Sequence, residues 1–222
     1  MSSAASYLRR NPAAPSTSAW EMIKTLIFDL GNVIIPFDFG RAYARVEQLT
    51  GLDPATIRSR IGGSDLPERL ECGRIAPEPF VEELSAVLGF PIGYAEFCEL
   101  WSSIFFPETL LPESLFESLK GRFRLLVLSN TNPMHFGRIR ESYPLVRHFD
   151  HYVLSYEVGA LKPEPLIYRE AIRHARCEPG ECFFTDDIPA FVDGARREGI
   201  DAVQFKGFEQ LREDLQARGI AI

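Results

Sequence analysis

The sequence predicts an α/β fold, with a Rossmann-like parallel sheet as its core and a helical cap inserted after the first strand. Two observations support this prediction. Short apolar segments typical of buried strands alternate with amphipathic segments typical of helices along most of the 222 residues. The alternation is interrupted once, directly after the first strand, by a long stretch with only helical patterns. Alternating strands and helices indicate βαβ units, which build parallel sheets with right-handed crossovers.

Five apolar runs provide the predicted strands. The first, KTLIFDL, spans 24–30 and ends next to an acid, and a continuous apolar run of this length is typical of a strand buried on both faces. The second, RLLVLS, spans 124–129 and is followed by Asn-Thr-Asn-Pro, a turn signal. The remaining strands are expected at 151–155, 182–185 and 201–205, and the helices between strands at 133–142, 164–176, 189–198 and 207–218.

The interruption covers 38–112, where Pro and Gly punctuate helical patterns and no convincing strand occurs. These helices are expected near 40–50, 54–61, 65–72, 77–88 and 93–104. The chain therefore divides into a flexible tail at 1–22, an α/β core formed by 23–37 and 113–222, and a helical cap at 38–112.

The charge balance argues against nucleic acid and against an anionic membrane surface as partners. The chain has 31 acidic and 24 basic residues, a net charge of −7, and no run of Lys and Arg longer than two, whereas duplex binding requires a basic stripe. No apolar run approaches the roughly 18 residues that a membrane helix requires. Four cysteines without a C-x-x-C pair indicate thiols in a reducing, cytoplasmic setting.

Polar side chains follow the predicted strands. Asp29 lies at the end of the first strand, Ser129 at the end of the second, and Asp186 and Asp187 directly after the fourth. Lys162 precedes a predicted helix between them. The carboxyl ends of parallel strands meet at one edge of a sheet, where ligands bind. We therefore expect these side chains to converge on one site.

In this order, these residues resemble the four motifs of the haloacid dehalogenase-like (HAD) superfamily, in the subclass with a helical cap after the first strand. The segments FDLGNV, LSNTN, LKPEPLIY and FFTDD are similar to those of bacterial sugar-phosphate phosphatases of the glucose-1-phosphate type, and to the N-terminal phosphatase domains of epoxide hydrolases. The similarity extends over residues 24–205. It implies a hydrolase with Asp29 as the nucleophile and Lys162 as a second catalytic residue.

The residue types suit this chemistry in their own right. A carboxylate such as Asp29 that attacks phosphorus forms an aspartyl-phosphate, which splits one difficult displacement into two easier ones. Because nucleophile and phosphate are both anions, the reaction requires cations. Asp29, Asp186 and Asp187 could hold Mg²⁺, which binds oxygen ligands. Lys162 would neutralise further phosphate charge as a point cation.

Substrate contacts are expected from residues beside the nucleophile and from the cap. Ser129 would donate a hydrogen bond to a phosphate oxygen, and backbone N–H groups of Leu30, Gly31 and Asn130 could bind the other oxygens. Glu71 lies in a Glu-Cys-Gly segment that resembles a cap loop of the same branch, and the resemblance implies that it could face the substrate.

Gly31 departs from the pattern of most phosphatases of this superfamily, which carry Asp two residues after the nucleophile. In the family, that Asp ligates the metal through its backbone carbonyl and protonates the leaving group through its side chain. Gly31 keeps the carbonyl but not the acid, and general acid–base help contributes about 10²–10⁴ in rate. We therefore expect a preference for acidic leaving groups, as in sugar 1-phosphates or acyl and aryl phosphates. Asp38 and Glu71 are the alternative acids, although each also fits a solvated surface residue.

The combined prediction is a Mg²⁺-dependent hydrolase of a small phosphomonoester, in particular a sugar phosphate. Two alternatives stay open. A 2-haloacid dehalogenase would use the same Asp29 nucleophile without a metal, which leaves Asp186 and Asp187 unexplained. A non-catalytic binding module would explain the missing acid at Gly31 but not the other motif residues. The sequence identifies neither the sugar nor the choice between monomer and homodimer.

Overall fold

A parallel sheet forms the centre of the computed structural model, which describes residues 23–222, so the predicted tail at 1–22 lies outside the described residues. Its strands are β1 (Thr25–Phe28), β2 (Arg124–Ser129), β3 (His151–Leu154), β4 (Cys182–Asp186) and β5 (Asp201–Gln204). All neighbours pair in parallel, in the order β3-β2-β1-β4-β5. The predicted α/β class and sheet are confirmed.

Helices surround the sheet within the described residues. Those that follow β1 directly, named here the cap helices, are α1 (Phe39–Thr50), α2 (Pro54–Gly62), α3 (Leu66–Glu71), α4 (Pro77–Leu88) and α5 (Tyr94–Trp101). The others are α6 (Glu113–Leu119), α7 (Pro133–Ser142), α8 (Ser155–Val158), α9 (Pro165–Ala175), α10 (Pro189–Arg197) and α11 (Phe208–Ala217). Within residues 23–222, no helix is both long enough and apolar enough to cross a membrane.

Several details differ from the sequence prediction. The helix expected at 93–104 ends at Trp101 and continues as a 3₁₀ turn, Ser102–Ile104. Helix α6 lies in a stretch to which the sequence pattern assigned no element. The strand expected at 151–155 ends one residue earlier, since Ser155 begins α8 and its hydroxyl bonds both the backbone N–H and C=O of Thr131 at 3.0 Å.

The sheet is buried on both faces, as its continuous apolar strands require. In β1, Leu26 and Phe28 join the cluster on one face, whereas Ile27 joins the cluster on the other, because successive side chains of a strand point in opposite directions. All four residues of β1 are buried. The catalytic candidate that follows this strand is therefore anchored to a fully buried strand.

The cap helices surround an apolar cluster of their own. Phe80, Phe97 and Trp101 form its aromatic centre, with ring centroids 5.4–6.0 Å apart. Met134, at the start of α7, is a buried residue of this cluster that comes from the core rather than from 38–112. This separate cluster supports the predicted division into core and cap, whose boundaries at 37/38 and 112/113 stay predictions.

Strand order positions the candidate site. Strand β1 has β2 on one side and β4 on the other, and the chain fills the β2–β3 side before it crosses back to β4. The connections therefore diverge at the carboxyl end of β1, and ligands of open α/β sheets bind at such a switch point.

Candidate active site

Asp29 lies directly after β1, with only 6% of its surface exposed. One carboxylate oxygen, Oδ1, is 2.8 Å from Nζ of Lys162, and the backbone N–H of Leu30 also donates to the carboxylate. Burial raises the pKa of Asp29 to about 7, against the attraction of Lys162 and with a further increase from neighbouring Asp186. A cation beside this carboxylate would favour its charged, nucleophilic form.

Lys162 lies between the two buried carboxylates. Its Nζ is 2.8 Å from Oδ1 of Asp29 and 2.6 Å from Oδ2 of Asp186, and it donates to the backbone C=O of Leu128 at 3.2 Å. Burial alone would lower the pKa of this lysine, but the two carboxylates raise it above its ordinary value. The amine is therefore charged, and it holds Asp29 in place.

Asn130 positions Lys162. Its side-chain Oδ1 accepts from the backbone N–H of Lys162 at 2.8 Å, and its Nδ2 donates to the C=O of the same residue at 3.1 Å. Both polar atoms of the Asn130 side chain are thus engaged by the backbone of Lys162. Its predicted contact with phosphate can come only from its backbone N–H.

Asp29, Asp186 and Asp187 offer carboxylate oxygens that all lie within 4.8 Å of one another. Asp186 is fully buried and accepts from Lys162 and from the backbone N–H of Ile188 at 2.9 Å. Burial and the charge of Asp186 raise the pKa of half-buried Asp187. Three carboxylates face a single lysine, so a divalent cation fits this donor set in both charge and ligand type.

Ser129 and Gly31 line a small cavity of about 80 Å³ beside the nucleophile, named here the inner cavity, together with Leu30, Asn130 and Glu71. The Ser129 hydroxyl has only a long contact of 3.4 Å to the C=O of Asn130, so it can donate to a ligand in this cavity. The structure therefore brings the predicted substrate-binding residues together, including Glu71 from the cap helices.

A larger cavity of about 300 Å³ adjoins the first between the cap helices and α7, and is named here the outer cavity. Phe39, Glu71 and His135 line both cavities. The indole N–H of buried Trp101, which also lines the outer cavity, has no hydrogen-bond partner among the described residues. An unpaired buried donor is costly, so a ligand with an acceptor group would be favoured here.

Phe37 occupies the space where a side chain at position 31 would lie. A Cβ built on Gly31 would be 2.6 Å from Cε1 of the Phe37 ring. An acidic side chain at position 31 would clash with the Phe37 ring unless the ring moved. The packing around Gly31 is therefore suited to glycine at this position.

Sequence reasoning missed three polar residues. Asn32, with a left-handed backbone (φ 52), hydrogen-bonds Asp187 through its side chain. Asn132 accepts from the backbone N–H of His135 and contacts its Nδ1, both at 3.0 Å. The Gly-Asn pair at 31–32 was a usable signal for a left-handed turn. For the Asn132–His135 contact, the only sequence signal was an Asn at the expected N-cap of a helix. Asp38, weighed above as an acid, is an exposed cap of α1 that lines neither cavity.

A family model of haloacid dehalogenase-like hydrolases matches residues 23–199, which is most of the chain. The match includes the carboxylate after β1, the hydroxyl at the end of β2, the buried lysine and the acidic pair at the end of β4. The chain belongs to the haloacid dehalogenase-like hydrolase family, as the sequence motifs predict.

Individual relatives are similar over nearly their whole length. D-ribitol-5-phosphate phosphatase of Bacteroides thetaiotaomicron is 26% identical over 200 residues, which cover 87% of this chain and 97% of the relative. A HAD family enzyme of the same organism, solved in complex with magnesium and inorganic phosphate, has 26% identity and a TM-score of 0.76, covering 83% of this chain and 95% of its own. A HAD-like family hydrolase from Porphyromonas gingivalis has 27% identity and a TM-score of 0.75, covering 88% and 97%.

Proposed function

We propose that this protein is a Mg²⁺-dependent phosphomonoester hydrolase that acts on a small phosphorylated metabolite. The observation that carries the proposal is the arrangement of Asp29, Lys162 and the Asp186–Asp187 pair, a buried nucleophile beside one fixed cation and a carboxylate set suited to a second. Among the similar proteins, one is a phosphatase of a sugar alcohol phosphate and one was solved with magnesium and phosphate.

In the proposed mechanism, a carboxylate oxygen of Asp29 attacks phosphorus and the bond from phosphorus to the leaving oxygen breaks. The Lys162 amine keeps Asp29 charged and oriented, and Ser129 donates to a phosphate oxygen. Water then cleaves the aspartyl-phosphate and regenerates Asp29. Asp29, Asp186, Asp187 and the Gly31 carbonyl would hold Mg²⁺. When bound, Mg²⁺ supplies positive charge that reduces the repulsion between the nucleophile and the phosphate.

The cap helices define the substrate's size. The inner cavity of about 80 Å³ suits a phosphate group, and the outer cavity of about 300 Å³ can take a leaving group of sugar size. Aromatic rings of Phe39 and Trp101 line the outer cavity beside polar Glu71. This mixture supports a sugar or polyol phosphate as the substrate. Cytoplasmic localisation and a monomer or homodimer complete the proposal.

The acidic pair favours a phosphatase over the two alternatives. A dehalogenase that needs no metal gives no reason to place Asp186 and Asp187 beside the nucleophile, where burial and mutual repulsion are costly. A non-catalytic binding module gives no reason to bury Lys162 against the carboxylate that would act as the nucleophile.

A panel of phosphomonoesters and 2-haloacids, assayed with Mg²⁺ and with a chelator, tests the proposal. We expect hydrolysis of a sugar or polyol phosphate that requires Mg²⁺ and is lost in Asp29→Asn. Release of halide that persists in chelator would favour the dehalogenase, and absence of any turnover would favour the binding module.

A further inference from the structure

The proposed reaction needs a proton source that the neighbourhood of position 31 does not provide. An alkoxide is a poor leaving group, so its oxygen must receive a proton as the bond to phosphorus breaks. Gly31 has no side chain, and the ring of Phe37 fills the adjacent space. The acid must therefore come from another wall of the substrate cavities.

Glu71 is the carboxylic acid at the junction of the two cavities. It is the last residue of α3 and lines both the inner cavity, with Leu30, Gly31 and Ser129, and the outer cavity. With a phosphate group in the inner cavity and its leaving group in the outer cavity, as the proposed function requires, the bond that breaks would lie at this junction, where Glu71 is located.

The environment of Glu71 favours its protonated form. Among the described residues, its carboxyl has no hydrogen-bond or ion-pair partner. Burial raises the pKa of Glu71 to about 7. The other titratable side chains that line the cavities are Tyr43, Arg58 and His135, and none forms an ion pair with it. A carboxyl with such a pKa carries a proton near neutral pH and can release it.

The loop that follows Glu71 is docked on the core. Gly73 has a left-handed backbone (φ +64), and a Cβ there would be 2.2 Å from the backbone oxygen of Tyr156 in α8. Only glycine permits so close an approach. This contact holds the end of α3 against α8, so Glu71 keeps its position at the junction of the two cavities.

The other acids near the cavities are less suited to the role. His135 donates from Nε2 to the C=O of Trp101 at 3.1 Å and uses Nδ1 for Asn132, so both ring nitrogens are engaged. Asp38 is exposed and serves as the cap of α1. Tyr43 lines only the outer cavity, and burial raises its pKa.

We propose that Glu71 is the general acid that protonates the leaving oxygen, in place of the missing acid at position 31. This inference rests on the proposed phosphatase function. In the first step, Asp29 bonds to phosphorus, the bond to the leaving oxygen breaks, and the Glu71 proton passes to that oxygen, which leaves as the alcohol. In the second step, water bonds to phosphorus, the bond from phosphorus to the Asp29 oxygen breaks, phosphate departs with one proton of the water, and the other proton passes to Glu71.

Glu71→Gln tests the proposal, because glutamine keeps the shape of the side chain but cannot donate a carboxylic proton. The measurement is kcat/KM for an alkyl monoester and for nitrophenyl phosphate, whose phenolate leaves without a proton. Since kcat/KM reports the steps through cleavage of the ester, we expect Glu71→Gln to lose about 10²–10³-fold on the alkyl ester and only a few-fold on the aryl ester. Glu68→Gln, on an exposed residue of the same helix, is the matched control and should change neither.

Equal losses on both esters would show that Glu71 has only a structural or binding role, and unchanged rates on both would show that it has none. Either result overturns the proposal while leaving the phosphatase function intact. If the wild-type protein hydrolyses neither ester with Mg²⁺, the proposed function itself fails, and the role of Glu71 fails with it.

Discussion

His135 is a buried histidine whose hydrogen bonds require the neutral ring. Its Nε2 donates to the C=O of Trp101, and its Nδ1 accepts from the amide of Asn132. The orientation of that amide is fixed, because its oxygen accepts from the backbone N–H of His135 as the N-cap of α7. A proton on Nδ1 would face another donor.

This arrangement predicts a loss of stability in mild acid. Burial lowers the pKa of His135 to about 4 from an ordinary value of 6.5, against a smaller opposite effect of the Trp101 carbonyl. As pH falls through 6.5 towards 4, His135 binds a proton in the unfolded chain but not in the native state. The native state therefore loses stability across this window. Relative to His135→Gln, the free energy of unfolding should fall by about 2 kcal/mol between pH 7 and pH 5.

Urea unfolding of both proteins at the two pH values measures this difference. Other groups titrate equally in wild type and variant, so they cancel in the comparison. An identical pH dependence in the two proteins would mean that the His135 ring is not held neutral.

At the scale of the strands, two buried threonines in the sheet differ in their hydrogen bonds. Thr25 of β1 donates through its hydroxyl to the C=O of Ala175 at 3.0 Å. The hydroxyl of Thr185 in β4 is equally buried and has no partner among the described residues. An unpaired buried hydroxyl costs stability, whereas a paired one contributes to it.

Replacing each threonine by valine should therefore have opposite effects. Thr185→Val is expected to raise the free energy of unfolding by about 1 kcal/mol, because it removes an unsatisfied group at nearly constant shape. Thr25→Val is expected to lower it by about 1 kcal/mol, because the Ala175 carbonyl loses its donor. Denaturant titration checks both, and a decrease of similar size in the two variants would indicate that Thr185 has a partner.

The loop after α3 contacts the core at Gly73, and a comparison with Gly89 isolates the effect of this contact on activity. Gly73 and Gly89 both have a left-handed backbone (φ +64 and φ +70), but a Cβ would meet the Tyr156 backbone only at Gly73 and nothing within 4 Å at Gly89. Alanine should cost about 1 kcal/mol of stability at Gly89, through backbone strain, and more at Gly73, where the added Cβ also clashes with the Tyr156 backbone. Only Gly73→Ala should also lower kcat/KM, by roughly tenfold or more, because Glu71 is displaced. Equal kcat/KM in the two variants would contradict the docked loop.

Local patterns were sufficient to predict most helices and all five strands, because apolar periodicity depends only on neighbouring residues and can be read from the sequence. They located Asp29, Ser129 and the acidic pair at strand ends for the same reason. They could not assign the Asn130 side chain to the Lys162 backbone, since that contact joins residues 32 positions apart in the chain. They also could not decide whether Glu71 was solvated, because its burial depends on how α3 packs against α8.

The negative net charge of the whole molecule makes a bound cation more important for the binding of a phosphate. The chain has a net charge of −7, so a phosphate approaches a predominantly negative protein. At the site, Lys162 partly offsets three clustered carboxylates. A divalent cation would balance this excess and would stabilise the folded protein that binds it.

Mg²⁺ should therefore raise the melting temperature of the full chain. At a concentration about 100 times its Kd, binding contributes roughly 2.7 kcal/mol to the free energy of unfolding. Asp187→Asn should abolish most of this increase because one ligand is lost, whereas Asp193→Asn, an exposed aspartate paired with Arg196, should retain it. Differential scanning fluorimetry with and without Mg²⁺ makes the comparison. An undiminished increase in Asp187→Asn would place the metal elsewhere.

In the proposed mechanism, Asp29 carries the phosphoryl group during turnover. Borohydride reduces an acyl phosphate to an alcohol and would convert a phosphorylated Asp29 to homoserine. The direct measurement is peptide mass spectrometry of the protein quenched with borohydride while it hydrolyses a sugar phosphate in Mg²⁺. We predict homoserine at position 29, absent when substrate is omitted. Turnover with Asp29 unmodified, or with homoserine at another aspartate, would contradict the assignment.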